Sequence, residues 1–241
     1  MSVSRGTVHT IQFLRFVAAT LVVLFHAHLG ITTRVTGVPS ATETYLFGFG
    51  GVGVHIFFVI SGYIMYLTNA ARPQHFSARR FYVRRLIRIY PIYWVFVALY
   101  LLVGVALASA PSMSWSQFAG ALLLWPGDAP RVIGPAWTLS FELYFYFAFG
   151  LAMVLGARRG VWALTAAFLI SVAVGLVVRP ASAVVAMATS TLLLEFVAGV
   201  WIARLTTDRP LPRLVGWAML ALGSAGSRAA SRSAMSVIRR C

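Results

Sequence analysis

The sequence predicts an all-α, polytopic transmembrane helix bundle of about six to eight spans, and three observations carry that prediction. Of its 241 residues, 60% are hydrophobic and only 10% charged, and the mean hydropathy is +0.84. The apolar residues fall into runs of about 20, the length at which a helix crosses hydrocarbon. Arginines gather between those runs, where they set topology. A formal charge of +15 would suggest a nucleic-acid partner in a water-soluble protein. Here it reads as an orientation signal, and the partner implied is the lipid bilayer. All the basic residues are Arg, which by itself says little about phosphate binding.

The apolar runs lie near 11–31, 46–69, 89–110, 137–156, 160–178 and 183–204, with a doubtful short one near 214–223. The first opens after Arg5 but is long and interrupted by Arg15, so it reads as a retained span and not a cleaved signal peptide. Between the second and third runs, Arg72, Arg79, Arg80, Arg84, Arg85 and Arg88 occur with no acidic residue among them. That segment is expected in the cytoplasm, and the N-terminus with it. The stretch 115–130 has about ten apolar residues, too few to cross unaided. If it stays on one side as a re-entrant or outer-surface segment, Arg158, Arg159, Arg204, Arg209 and Arg213 also fall inside, as positive-inside orientation requires. Residues 214–241 read as an incomplete span followed by a polar, Arg-containing tail, either a solvated tail or a truncated end. The lone Cys241 leaves no partner for an intramolecular disulfide and no multi-cysteine metal site, and no metal is expected.

Within the first run, Arg15 and His26 are eleven positions apart. At about 100° per residue they share one helix face to within roughly 20°, about 16 Å apart along the axis. Ionisable groups in hydrocarbon are costly and mark function by default. An imidazole exchanges protons near neutral pH, which suits a general base acting on a hydroxyl; the bland alternative is a hydrogen bond between helices. His28 and His9 read as bystanders. His55, on the second run, could lie at the depth of His26. In that second run Gly50 and Gly53 are explained by helix packing, whereas the Ser61-Gly62 step follows an unbroken bulky stretch and could open space for a flexible chain.

Arg84, Arg85 and Arg88 lie around one side of a helix entering the membrane and could grip a phosphorylated cofactor, or serve topology alone. Glu142 stands among aromatic residues at a helix start. It could partner an Arg or a His, or stabilise the helix N-terminus. Glu195 is likewise intramembrane, as an ion-pair partner or part of a pore.

Taken in order, Arg15 with His26 eleven positions on, Phe57-Phe58-Val59-Ile60-Ser61-Gly62, Arg85-Leu86-Ile87-Arg88, and Trp137-Thr138-Leu139-Ser140-Phe141-Glu142 resemble the landmarks of the acyltransferase 3 family. The opening is similar to that family's exopolysaccharide acetyltransferases. The resemblance covers roughly residues 10–204 and makes 1–213 a transmembrane acyltransferase domain. It implies transfer of an acyl group, usually acetyl from acetyl-CoA, to a hydroxyl of an exopolysaccharide, another surface glycan or its lipid-linked precursor, at a bacterial inner membrane. Carried over residue by residue, it makes His26 the catalytic candidate with Arg15 its motif partner, Arg85 and Arg88 the donor-side pair, and Glu142 the motif carboxylate; Ser61 and Gly62 are grouped with the donor. Family members usually have about ten spans, so the last few helices are expected to be missing here. The same polar residues could instead line a transport path for a glycan or proton without covalent chemistry, or belong to an inactive fragment.

Overall fold

A computed structural model describes residues 5–35, 50–70, 76–107, 112–128, 132–178 and 180–208. Eight α-helices lie in them: α1 (Arg5–Val35), α2 (Gly50–Met65), α3 (Ala78–Ala106), α4 (Trp115–Leu122), α5 (Trp137–Met153), α6 (Ala157–Val178), α7 (Ala183–Ala188) and α8 (Leu193–Asp208). A π-helical turn, Tyr66–Ala70, continues α2, and a 3-10 turn, Gly134–Ala136, leads into α5. No strand occurs among the described residues. The expected span near 214–223 and the tail after it lie outside them.

Among the described residues, five stretches are long and apolar enough to cross a membrane: Thr10–His28, Gly51–Asn69, Ala78–Ala106, Ala157–Val178 and Ala183–Thr206. The remaining run expected from sequence, 137–156, forms α5, whose 17 residues reach about 25 Å. Two boundaries differ from the sequence reading. The third span starts well before residue 89: α3 begins at Ala78, capped by the Ser77 hydroxyl on the Arg80 amide, so Arg79 to Arg88 and the apolar span share one helix. The run 183–204 is not one helix. It breaks between α7 and α8, where Thr189 turns its hydroxyl back to the Val185 carbonyl at 2.7 Å and Ser171 of α6 donates to the Ala188 carbonyl at 2.6 Å. The Val185 carbonyl keeps the Thr189 amide as its helical partner, and the Ser171 hydroxyl supplies a side-chain donor to the Ala188 carbonyl at the break.

The described residues divide into two compact units, Met1–Ile60 with Trp201–Cys241, and Ser61–Val200. In the first, α1 and the start of α2 meet where Gly53 faces the Ala18 backbone, and Ala18 is fully buried. In the second, α5 is central, packing on α3 and on α6. Tyr82 of α3 lies against Gly150 and donates to the Phe147 carbonyl at 3.0 Å. Gly160 of α6 lies against the Ala152 carbonyl. Phe145 stacks on Phe196 of α8 at 4.3 Å between ring centroids, and Tyr144 stacks on Phe168 of α6. Absent side chains bring these helices close and ring faces fill the remaining space, the packing expected where lipid removes the hydrophobic drive for association.

The stretch expected not to cross contains α4, eight residues long or about 12 Å, too short to span. Its start carries a reciprocal cap between Ser114 and Gln117. Its end is a Schellman turn: Trp125 donates to the Gly120 carbonyl and Leu124 to that of Ala121. Leu124 occupies the left-handed position, at φ 58°, that glycine usually fills. Four successive carbonyls there, Ala121 to Leu124, accept from the side chains of Tyr93, Trp94, Tyr90 and Ser140 in turn, at 2.7, 3.0, 3.0 and 2.7 Å. Three of the donors sit on α3 within one turn, and Ser140 begins α5. Leu124 is also buried, which offsets a backbone conformation that costs on the order of 1 kcal/mol.

Tyr93→Phe keeps the ring and removes one of the two hydrogen bonds to the buried Ala121 carbonyl, so it is expected to destabilise the detergent-solubilised protein by about 0.5–1.5 kcal/mol, seen as a lower melting temperature. Tyr100→Phe, at an exposed position of the same helix, is expected to melt like the parent. Equal melting of all three proteins would mean that the carbonyl cage contributes nothing.

Candidate active site

In the Ser61–Val200 unit, polar side chains from α2, its π-turn, α3 and α5 meet at one place. Glu142, two residues after the carbonyl-capping Ser140, accepts from the Ser61 hydroxyl at 3.3 Å and from the Tyr146 hydroxyl one turn further along α5. Two hydroxyls from two helices thus hold one carboxylate in an apolar bundle, the arrangement that makes an intramembrane carboxylate tolerable.

The same Tyr146 presents its ring to Arg85, whose guanidinium carbon lies 5.2 Å from the ring centroid and 5.6 Å from that of Phe81. Cation–π contact with two rings holds a charge without neutralising it. One N–H of Arg85 also points to Thr68 Oγ1 at 3.4 Å. Thr68 in turn donates to the Ile64 carbonyl and accepts from Asn69, which is buried and also donates to the Met65 carbonyl. Those bonds belong to the π-helical turn, a local widening of a helix that recurs at functional sites.

Helix phase sorts the arginines that the sequence reading grouped together. Arg79, Arg80, Arg84 and Arg88 are exposed, whereas Arg85 is half-buried on the side that carries Phe81 and Ile89. Arg88 follows Arg85 by three residues, on the margin of the same face. Gly62 is of another kind. A Cβ built there would fall on the Phe196 carbonyl, so the missing side chain admits the backbone of α8, where the sequence reading expected open space.

In the other unit, Arg15 and His26 are both half-buried on α1. His26 Nδ1 lies 2.8 Å from the Val22 carbonyl. A carbonyl only accepts, so Nδ1 carries the hydrogen, and in the neutral ring the lone pair is on Nε2. Phe25 packs edge-on against the imidazole. The ring is therefore held in the tautomer that can take up a proton at its outer nitrogen. His55 lies on α2 of this unit. Glu195 stands in the first turn of α8, where the helix dipole favours a carboxylate, and Arg204 lies over the Trp201 ring at 5.2 Å. Among the described residues, no three His, Cys, Asp or Glu side chains gather as a metal site.

Thr68, Asn69 and Tyr146 were not singled out from sequence. A Thr-Asn pair at the end of an apolar run, and a Tyr four residues after an intramembrane Glu, are the signals that mark them.

Residues 8–230 match the model of the acyltransferase 3 family, described as an acyltransferase domain. The chain belongs to that family. It is also 32% identical over 190 residues to the exopolysaccharide production protein ExoZ of Rhizobium meliloti (strain 1021), a match that covers 75% of this chain and 59% of that protein. The chain thus aligns with less than two thirds of this relative's length. No solved structure matches it. The site joins Ser61, Arg85 and Glu142, which come from three of the stretches quoted above for their resemblance to this family.

If Gly62 serves helix packing, Gly62→Ala should destabilise the protein by about 1–3 kcal/mol through overpacking, while Gly51→Ala, on the same helix with open space around the added Cβ, should not destabilise it. Thermal melting of the two solubilised variants checks the order. A Gly62→Ala protein as stable as the parent would contradict the close approach.

Proposed function

We propose that this chain is a membrane-bound O-acyltransferase that moves an acyl group, acetyl foremost, from acyl-CoA to a hydroxyl of an exopolysaccharide, another surface glycan or its lipid-linked precursor. The observation that carries the reading is a cation, Arg85, held by two ring faces beside a hydroxyl-bound carboxylate inside an apolar bundle, at the positions where the family has its motifs. A guanidinium so held suits the phosphates of CoA, since it stays charged and keeps N–H donors for a ligand. Arg88 follows it as the second donor-side cation. Ser61 belongs to the group through Glu142, and Gly62 serves it by admitting α8 against α2.

In the proposed reaction, His26 Nε2 takes the proton of the acceptor hydroxyl, and the oxygen attacks the thioester carbonyl carbon. The C–S bond then breaks, and CoA leaves as a thiolate that recovers the proton from the imidazolium. The hydrogen bond from Nδ1 to the Val22 carbonyl supports this role by fixing the tautomer. Arg15, the motif partner on the same helix face, provides a second cation of the catalytic set, and Glu142 the motif carboxylate. By positive-inside orientation the N-terminus and the arginines from Arg72 to Arg88 face the cytoplasm of a bacterial inner membrane, where acyl-CoA is available. ExoZ is described as an exopolysaccharide production protein, which supports a surface glycan as the acceptor.

Mass spectrometry of surface polysaccharide from cells with and without the chain tests the proposal. The expected result is an acetyl-sized mass gain that disappears in His26→Ala while the variant still accumulates in the membrane. A gain that survives in His26→Ala would remove the base assignment. No gain with the parent chain in the membrane would remove the acyl-transfer reading and leave a transport role.

A further inference from the structure

Tyr146 touches both charged members of the donor-side cluster. Its hydroxyl donates to Glu142, and its ring lies under the Arg85 guanidinium. The side chain is buried, at 4% exposure, and is itself fixed by Phe81, which packs edge-on against it at 6.3 Å and also carries Arg85. No ligand touching Tyr146 is needed to explain these contacts, and a leucine there would keep an apolar side chain without either of them.

Resting on the acyl-CoA reading above, we propose that Tyr146 is a positioning residue with two separable functions: the hydroxyl aims the Glu142 carboxylate, and the ring sets the height and tilt of Arg85 against the phosphates of the donor. The separation follows from the chemistry of the side chain. A phenol oxygen can hold a carboxylate only along its own O–H direction, while a cation is attracted to the ring face whether or not the hydroxyl is present. Arg85 and Glu142 are thereby spaced by one rigid group with two rotatable bonds, where a direct ion pair would let the carboxylate neutralise the cation and compete with phosphate for its N–H donors.

The two functions predict a split between Tyr146→Phe and Tyr146→Leu. In membranes supplied with acetyl-CoA, Tyr146→Phe should leave the KM for acetyl-CoA within about twofold of the parent and lower kcat by about 10- to 100-fold, because the carboxylate loses its aim. Tyr146→Leu should lower kcat in the same way and also raise that KM by about tenfold, because Arg85 loses a ring face. Equal KM values in the two variants, or a full kcat in Tyr146→Phe, would overturn the proposal. A parent chain inactive with acetyl-CoA would mean instead that the donor reading has failed, and a second measurement then decides. Melting temperatures of the solubilised parent, Tyr146→Phe, Glu142→Ala and the double variant should be strongly non-additive, since either substitution alone removes the shared hydrogen bond. Additive shifts would overturn the proposal whatever the donor.

Discussion

An intramembrane carboxylate has no water to turn to, and the arrangement around Glu142 answers that constraint with hydroxyls drawn from two helices. The consequences extend outward from there. Ser61 fixes the end of α2 against α5, and Tyr146 places Arg85 of α3 in the same neighbourhood. The π-turn after α2 then supplies Thr68 to the guanidinium. Three helices are tied together by the need to satisfy two charges, and the apolar packing of Phe145 on Phe196 and of Tyr82 on Gly150 closes around them. A cluster of this kind gives the bundle a specific register, which lipid-facing leucines and valines cannot.

The same constraint governs the segment that does not cross. A short helix ending among other helices exposes carbonyls that a soluble protein would give to water. Here Tyr90, Tyr93 and Trp94 of α3 and Ser140 of α5 take them one after another. Because Ser140 and Glu142 are two residues apart on α5, the anchoring of the non-crossing segment and the placement of the carboxylate share one stretch of helix. The Trp137-to-Glu142 stretch therefore both anchors the turn after α4 and places the carboxylate.

Much of this was legible in the sequence. Apolar run length marked the spans, because the thickness of hydrocarbon acts on each run separately, and the roughly ten apolar residues of 115–130 were too few for one; the helix within them is eight residues long. Helix spacing put Arg84, Arg85 and Arg88 on one side but did not show that Arg85 turns inward. That choice depends on Phe81 and Tyr146, one turn before it on α3 and on a helix some sixty residues away in the chain. The break between α7 and α8 was hidden because hydropathy is insensitive to backbone conformation, and Ser171 from α6 is part of what sustains it. Gly62 looked like open space for the same reason: a missing side chain in a sequence does not say whether a ligand or another helix fills the gap. Tyr146 and the carbonyl donors were unreadable because their partners are set by tertiary contact, and the tautomer of His26 because it depends on where its Nδ1 points.

The central claim is that this chain esterifies a glycan from a thioester donor. Its most direct test is to give membranes that contain the chain acetyl-CoA radiolabelled in the acetyl group and to follow the label into polysaccharide. The account predicts label in the glycan, released as acetate by mild base, with uptake dependent on Arg85 at low donor concentration. Label that stays on CoA, or appears only as free acetate while the chain is present in the membrane and glycan is available, would contradict it.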